Sequence, residues 1–296
     1  GKRFRCDGCL WLQPENYRER VRGGVDETVS GVGRRYKMTF KVLQLIVDGD
    51  FLTEKDLQKI SNSKVTTFHH NSNFFKIKSN TIEDRFLWIY CQFDNTELYN
   101  EYVWNDELKI SEGNPRKKTQ IECRYQLFIC YDAERYRLYI NDMGKCSFVK
   151  AYFKEILGKN VETKKIISSL EEFEKVVTTL KQVVLVQYNN LFNDVENSMF
   201  ANMINAYGLD GANRLYMKVD FKNHPIEKMK NVLRKYRNKR GGEIEEVIIV
   251  GQDNQGVKHS FDFNSIVRSI SIDANKNSNG HYLNEDVQKL LLREIR

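Results

Sequence analysis

Short runs of branched and aromatic residues, bounded by turn-forming residues, make up most of the chain after residue 37. Such runs are typical of strands that are buried on one or both faces. We predict strands over 40–47, 64–69, 74–78, 85–93, 99–104, 119–131, 135–141, 161–167, 182–188, 214–221, 243–250, 257–263 and 266–272. The runs 119–131 and 135–141 flank one short turn and predict a hairpin.

Helices are predicted where apolar positions recur at helical spacing behind a capping residue. Thr53 and Ser169 each stand three residues before an acid and predict helices over 53–60 and 169–180. Gly158 predicts the end of a helix over 147–157, because glycine adopts the left-handed conformation easily. Further helices are predicted over 194–207, 226–240 and 284–295.

The order of these elements predicts an α+β protein. Composition changes at Met38, since arginine dominates the positive charge before it and lysine after it. We therefore expect 1–37 to be an extension or leader outside the native fold, 38–114 a mostly β N-terminal domain, and 115–296 an α/β C-terminal domain with a mixed sheet. The turn-forming stretch 111–115 is the expected linker.

Positive charge is concentrated in the predicted helix 226–240. The net charge of the chain is +7. Seven basic residues and one acid, Glu227, give this segment a charge of +6; the basic residues are Lys228, Lys230, Arg234, Lys235, Arg237, Lys239 and Arg240. Such a density predicts contact with the phosphate backbone of a nucleic acid. A protein or anionic-surface contact, and a solvated charged face, are the alternatives.

A second basic cluster consists of Arg116, Lys117 and Lys118, with Arg124 on the strand that follows. Tyrosines accompany it at Tyr125, Tyr131, Tyr136 and Tyr139. Aromatic and basic side chains on paired strands can stack nucleic-acid bases. The ordinary alternative, which we favour for these tyrosines, is cross-strand aromatic packing.

Catalytic motifs are absent from the sequence: it contains no GxSxG, HExxH, P-loop or GxGxxG pattern. The pair Cys6 and Cys9 supplies only two of the four ligands of a structural zinc. We therefore expect no metal site and no cofactor, and prefer binding to catalysis.

Two other functions stay open. A metal-dependent nuclease would use acids on neighbouring strands, and the candidates are Glu122, Asp132, Glu134, Glu243, Glu245 and Glu246. A non-catalytic protein-interaction module would present an exposed apolar patch, around Trp88, Trp104 or the terminal helix.

No apolar run approaches the length of a transmembrane helix, so we expect no transmembrane segment. The cysteines are irregularly spaced and no secretory signal precedes them, which predicts reduced thiols in a cytoplasmic protein. A protein partner or a homo-oligomer is compatible with these features.

The layout of residues 119–272 resembles the B component of the Kiwa phage-defence system of bacterial genomic islands. The resemblance follows Tyr131-Asp132-Ala133-Glu134-Arg135 and Leu138-Tyr139-Ile140, then the segments 148–157 and 170–180, then Asn190-Leu191-Phe192. It implies DNA binding and a protein partner within a prokaryotic antiviral system. It carries over no catalytic residue.

Overall fold

A computed structural model describes residues 35–96, 99–188, 206, 214–228, 230–231, 246–263 and 268–296. Its strands are β1 (Arg35–Val47), β2 (Thr67–His70), β3 (Asn73–Glu83), β4 (Phe86–Asn95), β5 (Tyr102–Asn105), β6 (Ile110–Gly113), β7 (Tyr125–Asp132), β8 (Arg137–Ile140), β9 (Val161–Lys165), β10 (Thr179–Tyr188), β11 (Arg214–Pro225), β12 (Glu246–Gln252), β13 (Lys258–Asp262) and β14 (Ser269–Asn275). Its helices are α1 (Glu54–Ser61), α2 (Cys146–Leu157), α3 (Leu170–Val176) and α4 (Asn284–Ile295), with a short 3-10 helix at Met143–Lys145.

The described strands form two larger sheets and one separate hairpin. The first sheet runs β14-β1-β8-β7-β4-β3-β2, and β9 also pairs with β1. β14 pairs with residues 35–41 of β1 and β9 with residues 43–47, so the long first strand carries two partners in succession. The second sheet runs β11-β10-β12-β13, while β5 pairs with β6.

Both faces of the first sheet are covered by helices. Successive side chains of β4 enter opposite cores: Leu87 and Ile89 face α1 and α2, whereas Phe86 and Trp88 face α4. A strand buried on both faces is apolar at nearly every position, which explains why 85–93 shows no alternation in the sequence.

The second sheet packs against α3, whose Leu170 and Phe173 are buried among residues of β10, β12 and β13. Polar contacts join the two sheets. Arg137 of β8 pairs with Asp262 of β13 at 2.9 Å, and both side chains are about 95% buried (5% and 4% exposed). Gln44 of β1 donates a hydrogen bond of 2.6 Å to the carbonyl of Ser260. These contacts fix the second sheet against the middle of the first.

The α+β class is confirmed, and many predicted elements are present. The capping box at Thr53 forms as predicted, with Asp56 as its reciprocal partner. Gly158 ends α2 in the left-handed conformation (φ 67°). The terminal helix covers the predicted range.

Several predicted boundaries are wrong. The linker 111–115 lies partly within β6, where Ser111 pairs with Trp104. The strand predicted from residue 119 begins only at Tyr125. The helix predicted to residue 180 ends at Val176, because Thr179 already begins β10 beside β12. The helix 194–207 lies outside the described residues apart from Ala206.

The predicted domain layout is not confirmed. The first sheet takes strands from both 38–114 and 115–296, and the described residues of these two ranges belong to one compact unit. Every pairing between described strands is antiparallel, in place of the mixed sheet that was predicted. Residues 35–37, assigned by the sequence to the extension, belong to β1. None of the helices in the described part of the chain has the length and apolar character needed to cross a bilayer.

Candidate nucleic-acid interface

Only the first residues of the predicted basic helix are described. A helical turn begins at Ile226, directly after β11, and Ile226 is buried against the core of the second sheet. Lys228 is exposed, whereas Lys230 forms an ion pair with Glu227 that offsets its charge. The other predicted contact residues lie outside the described part of the chain; they are Arg234, Lys235, Arg237, Lys239 and Arg240.

The second predicted cluster lies on the loop 114–124 between β6 and β7, and its arginine is used to hold that loop. The Arg116 guanidinium donates a hydrogen bond of 3.0 Å to the carbonyl of Gln120 and lies 5.4 Å from the ring centroid of Tyr99. Lys117 and Lys118 are exposed, and neither ammonium group makes a hydrogen bond or ion pair with another described residue. The cluster therefore divides into one structural arginine and two available lysines.

Arg124 fastens the end of this loop to β4. Its Nε lies 2.7 Å from Oδ2 of Asp94 and its Nη2 lies 3.2 Å from Oδ1, while Glu122 approaches the same Nε at 3.2 Å. Burial raises the pKa of Asp94, but hydrogen bonds from Arg124 and from backbone amides outweigh burial and lower the pKa below its ordinary value. The carboxylate thus stays ionised and the guanidinium stays in place.

Two further lysines lie near this loop. Lys76 and Lys78 of β3 are exposed, have no hydrogen bond or ion pair within the described chain, and interact electrostatically with the Cys123 thiol. A β-bulge between Ile77 and Ser79 interrupts the pairing with β4 at Lys78. We call Lys76, Lys78, Lys117 and Lys118 the lysine surface. Its β3 members were not among the residues predicted from the sequence, although the alternation of Lys76 and Lys78 with apolar residues is a signal of an exposed strand face.

The four tyrosines near the second cluster have different environments. Tyr131 and Tyr139 are fully buried, and Tyr136 stacks on Phe51 between the two sheets. Tyr125 alone of the four is well exposed (52%); its ring stacks on Phe93 at 5.5 Å with Arg124 5.7 Å from its centroid. Three of the four tyrosines therefore pack within the fold, as the packing alternative predicts. The exposed ring of Tyr125 can contact a ligand.

The described candidate acids for a nuclease are neutralised by arginines. Asp132 is fully buried beside Arg85 (3.2 Å), and burial raises its pKa although Arg85 opposes the rise. Glu134 pairs with Arg85 and Arg214, and Glu246 pairs with Arg135. Such a network ties the β7–β8 turn to β11 and β12.

No group of three or more potential metal ligands occurs within the described ranges. Glu122 is exposed but lies between Arg116 and Arg124. The remaining nuclease candidates, Glu243 and Glu245, and the cysteine pair Cys6 and Cys9 lie outside the described residues. The geometry that is described therefore favours structural roles for Asp132, Glu134 and Glu246.

An exposed apolar patch occurs at one of the three places considered. Trp88 is fully buried, and α4 buries its apolar side chains on the first sheet. The hairpin β5–β6 instead exposes Tyr102 (66%) and Trp104 (62%). The residues opposite them are small, Gly113 and Ser111. Tyr102 and Trp104 are two positions apart on one strand, so their rings lie on the same face of the hairpin. The small residues opposite leave that face open.

No protein-family model matches the chain, and no curated protein matches it.

Proposed function

We propose that the protein binds nucleic acid through the phosphate backbone, using the lysine surface together with Lys228 and the basic residues that follow it in the sequence. The observation that carries the proposal is that the arginines and the lysines on and near the loop 114–124 have different environments. Arg116 and Arg124 engage the local acids and the loop backbone, while four nearby lysines keep exposed ammonium groups.

Charge balance supports this assignment. The lysine surface with Arg116 and Arg124 carries six positive charges, and the two acids that touch those arginines, Asp94 and Glu122, carry two negative charges, which leaves a surplus of four. Surplus lysines attract phosphates and release condensed counterions on binding, which favours association without sequence specificity.

The position of Tyr125 favours single-stranded over double-stranded substrates. Its exposed ring stands beside Arg124 at the start of β7. An exposed ring next to cationic groups can stack an unpaired base, and such stacking tolerates every base. We therefore propose that single-stranded DNA or RNA binds more tightly than a duplex of equal charge.

Fluorescence anisotropy with labelled single-stranded DNA, RNA and duplex DNA tests the proposal. The test variant is Lys117→Glu/Lys118→Glu. The matched control is Lys55→Glu/Lys59→Glu, which makes the same charge change on exposed residues of α1. We expect the test variant to bind at least about tenfold more weakly than the control. Equal loss in both variants would show only a global charge effect and would overturn the assignment of the surface.

A second candidate function is protein interaction through the hairpin β5–β6, favoured by the exposure of Tyr102 and Trp104. The segment 99–113 contains four acids and one lysine, a net charge of −3. This charge repels phosphates but complements a basic protein surface, and exposed aromatic rings attract arginine and lysine. We propose a basic protein partner for this face, in agreement with the partner implied by the resemblance to the phage-defence component.

The hairpin's role is tested by affinity capture with the parent chain and with Tyr102→Ala/Trp104→Ala. The expected result is a partner of basic surface that the parent retains, the variant loses, and moderate salt releases. Capture of the same proteins by both chains would remove the hairpin from any interface.

A further inference from the structure

A cleft of about 520 Å³ lies between the two sheets, on the side where α1 begins. Its first wall comes from the loop before α1 and from the β3–β4 turn. Its second wall comes from β10, β11 and the start of β13. Ligand pockets commonly have volumes of several hundred Å³, so the cleft has room for a small molecule.

The floor of the cleft is aromatic and fixed. The rings of Phe51 and Tyr136 stack at 4.2 Å, nearly parallel. The Tyr136 hydroxyl donates a hydrogen bond of 2.7 Å to Oε1 of Gln182, and Nε2 of Gln182 donates one of 2.8 Å to Asp220. Each hydrogen bond in the series Tyr136–Gln182–Asp220 orients the next side chain. The floor is therefore held in one arrangement before any ligand binds.

The two walls carry opposite net charges, although each also has one residue of the other sign, Arg85 on the first wall and Asp220 on the second. Glu54 and Asp84 stand on the first wall. Lys181 and Lys218 stand on the second, where Lys218 is exposed and has no hydrogen bond or ion pair within the described chain. Asp50 of the first wall and Lys258 of the second form an ion pair of 2.7 Å. Away from this bridge the second wall keeps a net charge of +1 from Lys181, Lys218 and Asp220. The first wall keeps a net charge of −1 from Glu54, Asp84 and Arg85.

We propose that the cleft binds a mononucleotide whose base carries an amino group. A phosphate fits the Lys181 and Lys218 side, since ammonium groups are common phosphate ligands. Carboxylates accept hydrogen bonds from an amino group or from ribose hydroxyls, which fits Glu54 and Asp84. The base would lie over the apolar floor at Tyr136. The cleft shares no residue with the lysine surface, so this site and the proposed nucleic-acid surface can fail independently.

Isothermal titration calorimetry with adenosine monophosphate tests the site. Lys218→Ala removes the exposed ammonium group, and Asp84→Asn removes a carboxylate while keeping a residue type that tolerates the positive φ of 56°. Lys55→Ala on α1 is the control, because Lys55 is exposed and does not line the cleft. Circular dichroism confirms that each variant is folded.

We expect saturable binding that Lys218→Ala weakens at least about tenfold and that the control leaves unchanged. Asp84→Asn should weaken the binding of adenosine monophosphate but leave the binding of inorganic phosphate, measured alone, unchanged. Absence of binding at millimolar nucleotide would overturn the proposal. Binding that both cleft variants leave unchanged would also overturn it, as would binding of free amino acids in place of nucleotides.

Discussion

The guanidinium of Arg124 contacts both carboxylate oxygens of Asp94, with Nε 2.7 Å from Oδ2 and Nη2 3.2 Å from Oδ1. The aspartate is only 2% exposed, although it lies at the end of a strand that faces the loop 114–124. This pair fixes the last residues of the loop before β7. The Arg124–Asp94 pair therefore helps to hold the loop that carries Lys117 and Lys118.

Asp94→Asn should destabilise the fold by about 2 kcal/mol at neutral pH, because it removes the negative charge and replaces one of the two acceptor oxygens with an NH2 group. The pKa of Asp94 is below its ordinary value of 3.8, so its contribution is present above that value and is lost as pH falls through the folded-state pKa. Urea unfolding of parent and variant between pH 7 and pH 2 should show the difference shrink only below about pH 4. A difference independent of pH would contradict the role of the carboxylate charge.

Gly251→Ala should destabilise the second sheet by about 2 kcal/mol through overpacking. A Cβ at this position would overlap Cγ1 of Val177 and would lie 3.0 Å from Cζ of Phe173 and 3.1 Å from the carbonyl of Thr179. Gly113→Ala is the control, since nothing lies within 4 Å of a Cβ there. The midpoints of urea unfolding of the two variants are compared. Equal midpoints would show that α3 moves aside at no cost in stability.

Arg137→Leu alone should cost about 3 kcal/mol, because it leaves Asp262 buried without its 2.9 Å partner. Arg137→Leu/Asp262→Leu should recover most of that loss, since paired apolar residues need no desolvation of charge. Chemical denaturation gives the free energy of unfolding of the parent, both single variants and the double variant, which together form a double-mutant cycle. If the double variant is as unstable as the sum of the single variants, the two residues are not coupled.

Trp104→Ala should change stability by less than about 0.5 kcal/mol, since the side chain is well exposed on a hairpin that pairs with no other described strand. Trp88→Ala should cost about 4 kcal/mol, because that ring is fully buried under α4 and donates a hydrogen bond of 3.0 Å to Asn284. Circular dichroism during urea titration separates the two. A large loss in Trp104→Ala would mean that the ring supports the fold and is not kept free for a partner.

Local signals in the sequence were sufficient for the elements whose ends depend on nearby residues. Thr53 and Asp56 form their capping box within one turn, and Gly158 ends α2 through its own backbone conformation. These interactions involve residues close in the chain, so their pattern can be read without the fold.

Elements whose limits depend on distant partners were misjudged. Val176 ends α3 because the next residues pair with β12, more than seventy positions away. The segment 111–115 has the composition of a linker, yet Ser111 and Gly113 are strand residues opposite Trp104 and Tyr102. Small residues served here as neighbours of large rings, a role that composition does not reveal.

The candidate site was predicted in part. Lys117 and Lys118 were identified from their charge, but the separate role of Arg116 depends on Tyr99 and Gln120, which only the folded loop brings together. Lys76 and Lys78 belong to a different strand, and their place beside Cys123 follows from the order β3, β4, β7 in the first sheet. Strand order could not be derived from the sequence pattern.

The salt dependence of single-stranded DNA affinity tests the central claim most directly. Each lysine that contacts a phosphate adds about 0.7 to the slope of log affinity against log salt. If Lys117 and Lys118 make such contacts, Lys117→Glu/Lys118→Glu should bind more weakly at every salt concentration, with a slope shallower by at least about 1.4. The control Lys55→Glu/Lys59→Glu should keep the parent slope. Equal slopes for the parent and the Lys117→Glu/Lys118→Glu variant would contradict the claim that this surface binds the phosphate backbone.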